Sequence, residues 1–151
     1  MTNDNNDFIY TTYIKSTPEK IWNAITNPEF ARQYWGNENI SDWKIGSKWQ
    51  HMDGASVRVI GKVLESSPPK RLVLSWAEPD NESDDSRVTF EIEALGDMTK
   101  LSVVHDNFKA GSQMLGKISK GWPLVLSNLK SFLETGTAFD IMSFKSCGKA
   151  A

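Results

Sequence analysis

Between residues 121 and 136 the chain reads GWPLVLSNLKSFLETG, and its apolar side chains Trp122, Val125, Leu126, Leu129, Phe132 and Leu133 recur at steps of three and four. That is the period of one face of an α-helix. The pattern predicts a long helix from about residue 112 to 135, ended by Gly136, because a helix terminus commonly takes a left-handed residue there. Pro123 disturbs the prediction. It has no N–H to donate to residue 119, and Gly121 weakens the same turn. Either the helix starts close to Gly121, or residues 112–120 form a separate segment able to gate whatever lies beneath.

Elsewhere the period is mostly two. FIYTTYIKS (8–16) is rich in β-branched and aromatic residues and predicts a strand. Two short helices follow, each opened by a capping residue and a proline: Thr17-Pro18 for the first, Asn27-Pro28 for the second, with Gly36 as the stop. Strands are then predicted at 46–52, 56–66, 71–77, 87–95 and 99–108, with Asp53-Gly54 and Gly96-Asp97 as hairpin turns. The acidic run EPDNESDDS (78–86) reads as a solvated loop. Alternation places Leu72, Leu74 and Trp76 on one face, as it does Val88, Phe90 and Ile92, and Leu101, Val103 and His105. On the strand 56–66, Val57, Val59 and Val63 compete with Ile60 and Leu64 for the inward face.

The whole is an α+β domain: a curved antiparallel meander with one apolar face, covered by the only long amphipathic helix. Residues 1–7 are predicted to be a flexible start, residues 8–136 the domain, and residues 137–151 a tail carrying Phe139, Ile141, Met142 and Phe144.

Composition narrows the function. A chain of 151 residues suits one domain. Its net charge of −2 argues against nucleic acid or an anionic membrane as partner. The single cysteine, Cys147, excludes an internal disulfide or a cysteine-based metal site, and fits a reducing cytoplasm. Without an apolar leader or a membrane-length apolar run, the expected location is cytoplasmic. Six tryptophans are the departure from ordinary composition, and tryptophan often lines pockets.

Candidate chemistry is sparse. No nucleophile elbow, zinc motif or phosphate loop occurs, so neither metal nor cofactor is expected. His51, beside the Asp53-Gly54 turn, is expected to be exposed. His105 is expected to face inward, as a ligand anchor, an acid/base, or simply a histidine bonded to a neighbouring hydroxyl; its neighbour Asp106 points to the opposite face and forms no dyad with it. The expected lining of a space between sheet and long helix is Trp35, Trp49, Val59, Trp76, Phe90, Val103, His105, Met114, Ile118, Trp122 and Leu126. Arg58 and Tyr34 are further candidate anchors.

Several segments, in order, resemble one family: TPEKIWNAITNPEFARQYW, SDWKIGSKW, VLESSPPKRLVLSW, SRVTFEIE, TKLSVVHDNF and GWPLVLSNLKSFLETG. Across residues 8–136 the chain is similar to the SRPBCC (START-like) superfamily, and within it to bacterial domains resembling the C-terminal domain of the activator of the Hsp90 ATPase. The resemblance implies the helix-grip, or Bet v 1-like, fold: a seven-stranded sheet, two short helices and a gripped C-terminal helix. Periodicity alone gives six strands, and ISDWKI (40–45) is the expected source of the seventh. The resemblance also implies, for many members, a cavity for lipids, sterols, flavonoids or polyketides. It does not imply one chemistry.

Three readings follow. The first is binding of a small hydrophobic ligand without catalysis. The second is a polyketide cyclase- or hydrolase-like enzyme using His105. The third is an Hsp90-type co-chaperone, weakened by the expectation that such activators carry a further N-terminal domain, whereas only seven residues precede the first strand here. The expected assembly is a monomer, or a homodimer formed through an exposed sheet edge.

Overall fold

The structure, a computed structural model, describes residues 7–141. The elements run β1 (Phe8–Ile14), α1 (Pro18–Thr26), α2 (Pro28–Tyr34), β2 (Glu38–Ile40), β3 (Lys48–Asp53), β4 (Ser56–Ser67), β5 (Arg71–Glu78), β6 (Asn81–Leu95), β7 (Met98–Asp106) and α3 (Met114–Thr135). The seven strands form one antiparallel sheet in the order β1-β7-β6-β5-β4-β3-β2. The first strand closes on the last, and the rest is a meander.

Local chemistry sets the helix ends. The Thr17 hydroxyl accepts from the Lys20 N–H, and Asn27 Oδ1 accepts from Glu29 and Phe30. Each proline sits in the first turn, where its missing N–H costs nothing. Gly136, at φ 82°, ends α3. The Ser112 hydroxyl accepts from the Met114 N–H at the other end.

Four expectations are corrected. The seventh strand is Glu38–Ile40, not 40–45, because Ser41 and Asp42 side chains turn the backbone at once, the first by accepting from Trp43 N–H and the second from Lys44 N–H. The acidic run is not a loop beyond residue 80: β6 begins at Asn81, paired with Glu78. Its carboxylates face solvent or partners such as Lys109, paired with Asp85, so ladder hydrogen bonds override the polar composition. α3 is continuous through Pro123. A proline removes one hydrogen bond, and the buried positions Met114, Ile118, Trp122, Val125, Leu126 and Leu129 hold the helix on both sides of it. His51 is buried, because it shares the inward face of β3 with Trp49 and β2 covers it.

Beneath α3 the core is continuous from α1 to β7. On β4 the competition resolves in favour of Val59 and Val63, while Leu64 is exposed. Asn128 interrupts the apolar face of α3, and its amide is fully used: Nδ2 donates to the carbonyls of Tyr34 and Phe139, and Oδ1 accepts from Phe139 N–H. This tie brings the chain after α3 back to the domain, where Ile141 is buried in the core and Phe139 stays exposed. Residues 1–6 of the expected flexible start, and Met142, Phe144 and Cys147 of the tail, lie outside the described residues.

Candidate functional site

All eleven side chains expected to line the space under α3 are buried. Ten of them belong to one core cluster, and His105 sits among them. Trp122 is the hub. Its ring lies 5.6 Å from Trp35, 5.5 Å from Trp76 and 5.7 Å from Phe90, centre to centre. Trp76 extends the set to Trp49 at 5.6 Å. α3 therefore lies against the sheet through large rings. The backbone of α3 runs closest to β1 and α2.

His105 is the polar centre of this cluster. Trp122 Nε1–H donates to His105 Nδ1 at 3.2 Å. The remaining proton must then be on Nε2, which faces Ser86 Oγ at 2.8 Å. The Ser86 hydroxyl is left to donate toward the Trp76 carbonyl at 3.5 Å. Each atom is satisfied by one tautomer of a neutral ring. Burial supports that state, pushing the His105 pKa down to about 4, only partly opposed by Asp106. Asp106 itself faces outward and pairs with Arg87 through two bonds of 2.9 Å. Ser86 and His105 look like a nucleophile and base, but here the histidine donates to the serine. It cannot take the serine's proton while Trp122 occupies its lone pair.

The two further candidate anchors do not face the cluster as free groups. Arg58 is exposed and pairs with Asp53 at 3.3 Å. Tyr34 is buried, its hydroxyl donating to the Ala24 carbonyl at 2.9 Å, and burial pushes its pKa upward.

Two polar groupings escaped the sequence reading. One is a cavity of about 340 Å³ where the β5–β6 hairpin meets the N-terminus of α3. Glu78, Asp84, Gln113, Lys117 and Met114 are among its walls. Met114 is the one expected lining residue that reaches it. Two of its walls are tied: Lys117 pairs with Glu78 at 2.9 Å, and Ser112 donates to Asp84 at 3.0 Å. Reading residues 78–86 as a loop hid this feature. The other grouping is a buried network of Asn37, His51 and Asn39, whose alternating spacing along residues 37–39 was the available signal. The ring of its centre, His51, lies 4.7 Å from that of Trp35, tilted against it, and so adjoins the ring cluster. Among the described residues, no group of three or more His, Cys, Asp or Glu is placed to hold a metal ion. No helix there is long and apolar enough to cross a membrane.

A curled seven-stranded antiparallel sheet, two short helices at one end and a long helix lying on rings define a helix-grip domain. The family model described as activator of Hsp90 ATPase homolog 1-like protein matches residues 15–134, and the chain belongs to that family. Among solved structures, it is similar to the Aha1 dimer from Colwellia psychrerythraea, with a TM-score of 0.74 and 23% identity over 87% of this chain and 98% of that one. It is similar to an Hsp90 activator from Plasmodium falciparum, with a TM-score of 0.71 and 29% identity over 84% and 95%. It is also similar to CalU16 from Micromonospora echinospora, with a TM-score of 0.72 and 23% identity over 93% and 81%. Comparison with curated protein sequences gives no significant match.

Proposed function

We propose that this chain binds a small, flat apolar molecule beneath α3, among Trp35, Trp76, Trp122 and their neighbours. The observation that carries the reading is the way α3 is held. Its N-terminal half is held by three buried side chains, Met114, Ile118 and Trp122, and otherwise by exposed or half-buried polar ties, the Lys117–Glu78 ion pair and the Ser112–Asp84 bond. The same half is intrinsically weak. Gln113 gives no side-chain cap, Gly116 lies in the first turns, and Pro123 removes a backbone bond. Such a half-helix can swing outward, and the ligand then replaces the ring-to-ring contacts. Movement of Trp122 also frees His105 Nδ1, which turns a satisfied histidine into a hydrogen-bond acceptor for the ligand.

Native mass spectrometry of protein purified from its own host tests the reading. A reproducible extra mass, lost on unfolding, is the expected result. The identified compound then stabilises the fold by about 2.7 kcal/mol at a concentration of one hundred times its Kd. Replacing Pro123→Ala strengthens α3 and should slow ligand exchange. A bare protein mass, together with no thermal shift from a broad set of apolar compounds, would remove the reading.

The family match and the Plasmodium structure favour a second reading, in which the domain stimulates an Hsp90-type ATPase. ATP turnover by the host's purified chaperone, with and without the chain, decides it, and an unchanged rate rejects it. The cyclase- or hydrolase-like reading has less support. Its candidate base, His105, has its Nδ1 lone pair engaged by Trp122, and burial lowers its pKa.

A further inference from the structure

Past Gly136 the chain turns back along α3, and two side chains of that helix hold its main chain. Ser131 Oγ donates to the Thr137 carbonyl at 2.9 Å. Asn128 Nδ2 donates to the Phe139 carbonyl at 2.8 Å, and Asn128 Oδ1 accepts from the Phe139 N–H at 2.6 Å. Asn128 thus grips both main-chain polar groups of one residue, as a neighbouring strand would. The grip does not use the Phe139 ring, since that residue is 61% exposed. On either side of it, Ala138 packs against the core and Ile141 is buried in it.

The same amide has a second task. Asn128 Nδ2 also donates to the Tyr34 carbonyl at 2.6 Å. Tyr34 is the last residue of α2, so that carbonyl has no partner within its own helix. The next residue, Trp35, carries its ring into the cluster beneath α3, 5.6 Å from Trp122. One buried amide therefore links the segment 137–141, the end of α2 and one wall of the ring cluster. Lifting the segment leaves Asn128 Oδ1 and one Nδ2 hydrogen without partners. A buried amide in that state turns or draws in water, and its hold on Tyr34 weakens. The Tyr34 hydroxyl stays bonded to the Ala24 carbonyl, but that bond anchors the ring and not the main chain after it. We infer that residues 137–141 are a conformational strap: seated, they hold the end of α2 and Trp35 against α3; lifted, they release both. The inference concerns the chain's own motion and does not depend on a ligand beneath α3.

The test is amide hydrogen exchange of the full chain, followed by NMR, in two variants at one exposed position. Phe139→Pro removes the N–H that Asn128 accepts, whereas Phe139→Ala removes the ring and keeps the main-chain bonds. The reporters are the amides of Trp35 and Gly36, which close the last turn of α2 on the carbonyls of Ala31 and Arg32. In Phe139→Pro both should exchange at least about ten times faster, because the end of α2 opens locally. The Ile21 amide at the start of α1 and the Val103 amide, in the strand between β1 and β6, should keep their rates. Phe139→Ala should change neither set. Unaltered Trp35 and Gly36 rates in Phe139→Pro would overturn the inference. So would an equal rise at all four amides, which would make the segment an ordinary part of the core, or an equal effect of Phe139→Ala, which would assign the role to the ring. Should Phe139→Pro fail to fold, exchange of the unaltered chain in low urea decides. The Phe139, Trp35 and Gly36 amides should then open together and before Val103, and opening of Trp35 and Gly36 apart from Phe139 would overturn the inference.

Discussion

His105 shows how a single residue reads differently in sequence and in space. Its inward position follows from strand alternation, because it lies two residues beyond Val103 and four beyond Leu101 on the same face. Its partners do not follow. Ser86 lies in a stretch whose composition suggests a loop, and Trp122 is on a helix whose rotation about its axis is fixed only by packing. His51 differs between sequence and space for a related reason: the turn next to it suggests exposure, while the strand that covers it, β2, is three residues long and too short to show in the periodicity. The burial of His105 has a measurable consequence. In the folded chain the ring resists a proton until the pH falls to about 4, whereas an ordinary histidine takes one near 6.5. The stability it contributes is therefore complete above pH 6.5 and is lost as the pH falls toward 4. That loss amounts to roughly 3 kcal/mol. Urea unfolding measured across this window should give a slope that His105→Gln flattens. An unchanged slope in the variant would mean that the ring is already solvated.

At the scale of elements, hairpins and caps were legible because each is written in adjacent residues: Thr17-Pro18, Asn27-Pro28, Asp53-Gly54 and Gly96-Asp97 all act locally. Continuity of α3 through Pro123 and the early start of β6 were not, since both depend on what lies across from them. The β4–β5 pairing holds a further constraint that only the third dimension reveals. Gly61 is in the middle of β4, where a glycine ordinarily weakens a strand. Its missing side chain leaves room for Trp49 Nε1–H to reach the Ser75 carbonyl at 2.8 Å, and for the Ser75 hydroxyl to accept from Lys62 N–H at 2.8 Å. A Cβ at residue 61 would run into the Ser75 carbonyl oxygen and sit 2.5 Å from Trp49 Nε1. Gly61→Ala should therefore destabilise the chain by about 2 kcal/mol or more, despite the better strand propensity of alanine. Chemical denaturation measures this directly, together with the indole signal of Trp49. A neutral outcome would mean that β4 and β5 can separate there without losing the Trp49 bond.

The whole molecule must manage the two edges of an open sheet, β1 and β2, because an unpaired strand edge invites a second chain. The β2 edge is short. The β1 edge is seven residues long and carries the exposed Ile9 and Tyr13. Its C-terminal part is occupied by α3: Lys130 Nζ donates to the Tyr13 carbonyl at 2.5 Å, and Lys15 N–H donates to Glu134 Oε2 at 2.8 Å. Lys130 and Glu134 also pair with each other at 2.8 Å, one helical turn apart. The helix that covers the rings thus also blocks the strand, through polar residues on its outer flank that a reading of the apolar face alone ignores. This arrangement opposes a homodimer built by joining β1 to β1. It leads to a prediction about assembly. Replacing Lys130→Ala and Glu134→Ala together leaves the Tyr13 carbonyl and the Lys15 N–H without partners while keeping the apolar face of α3 intact. The double variant should self-associate at concentrations where the unaltered chain does not, as followed by sedimentation velocity. Adding Ile9→Lys, which places a charge on the exposed part of the same strand, should reverse the association. If the double variant sediments like the unaltered chain, the blocked edge does not govern assembly, and a dimer would have to form through another face.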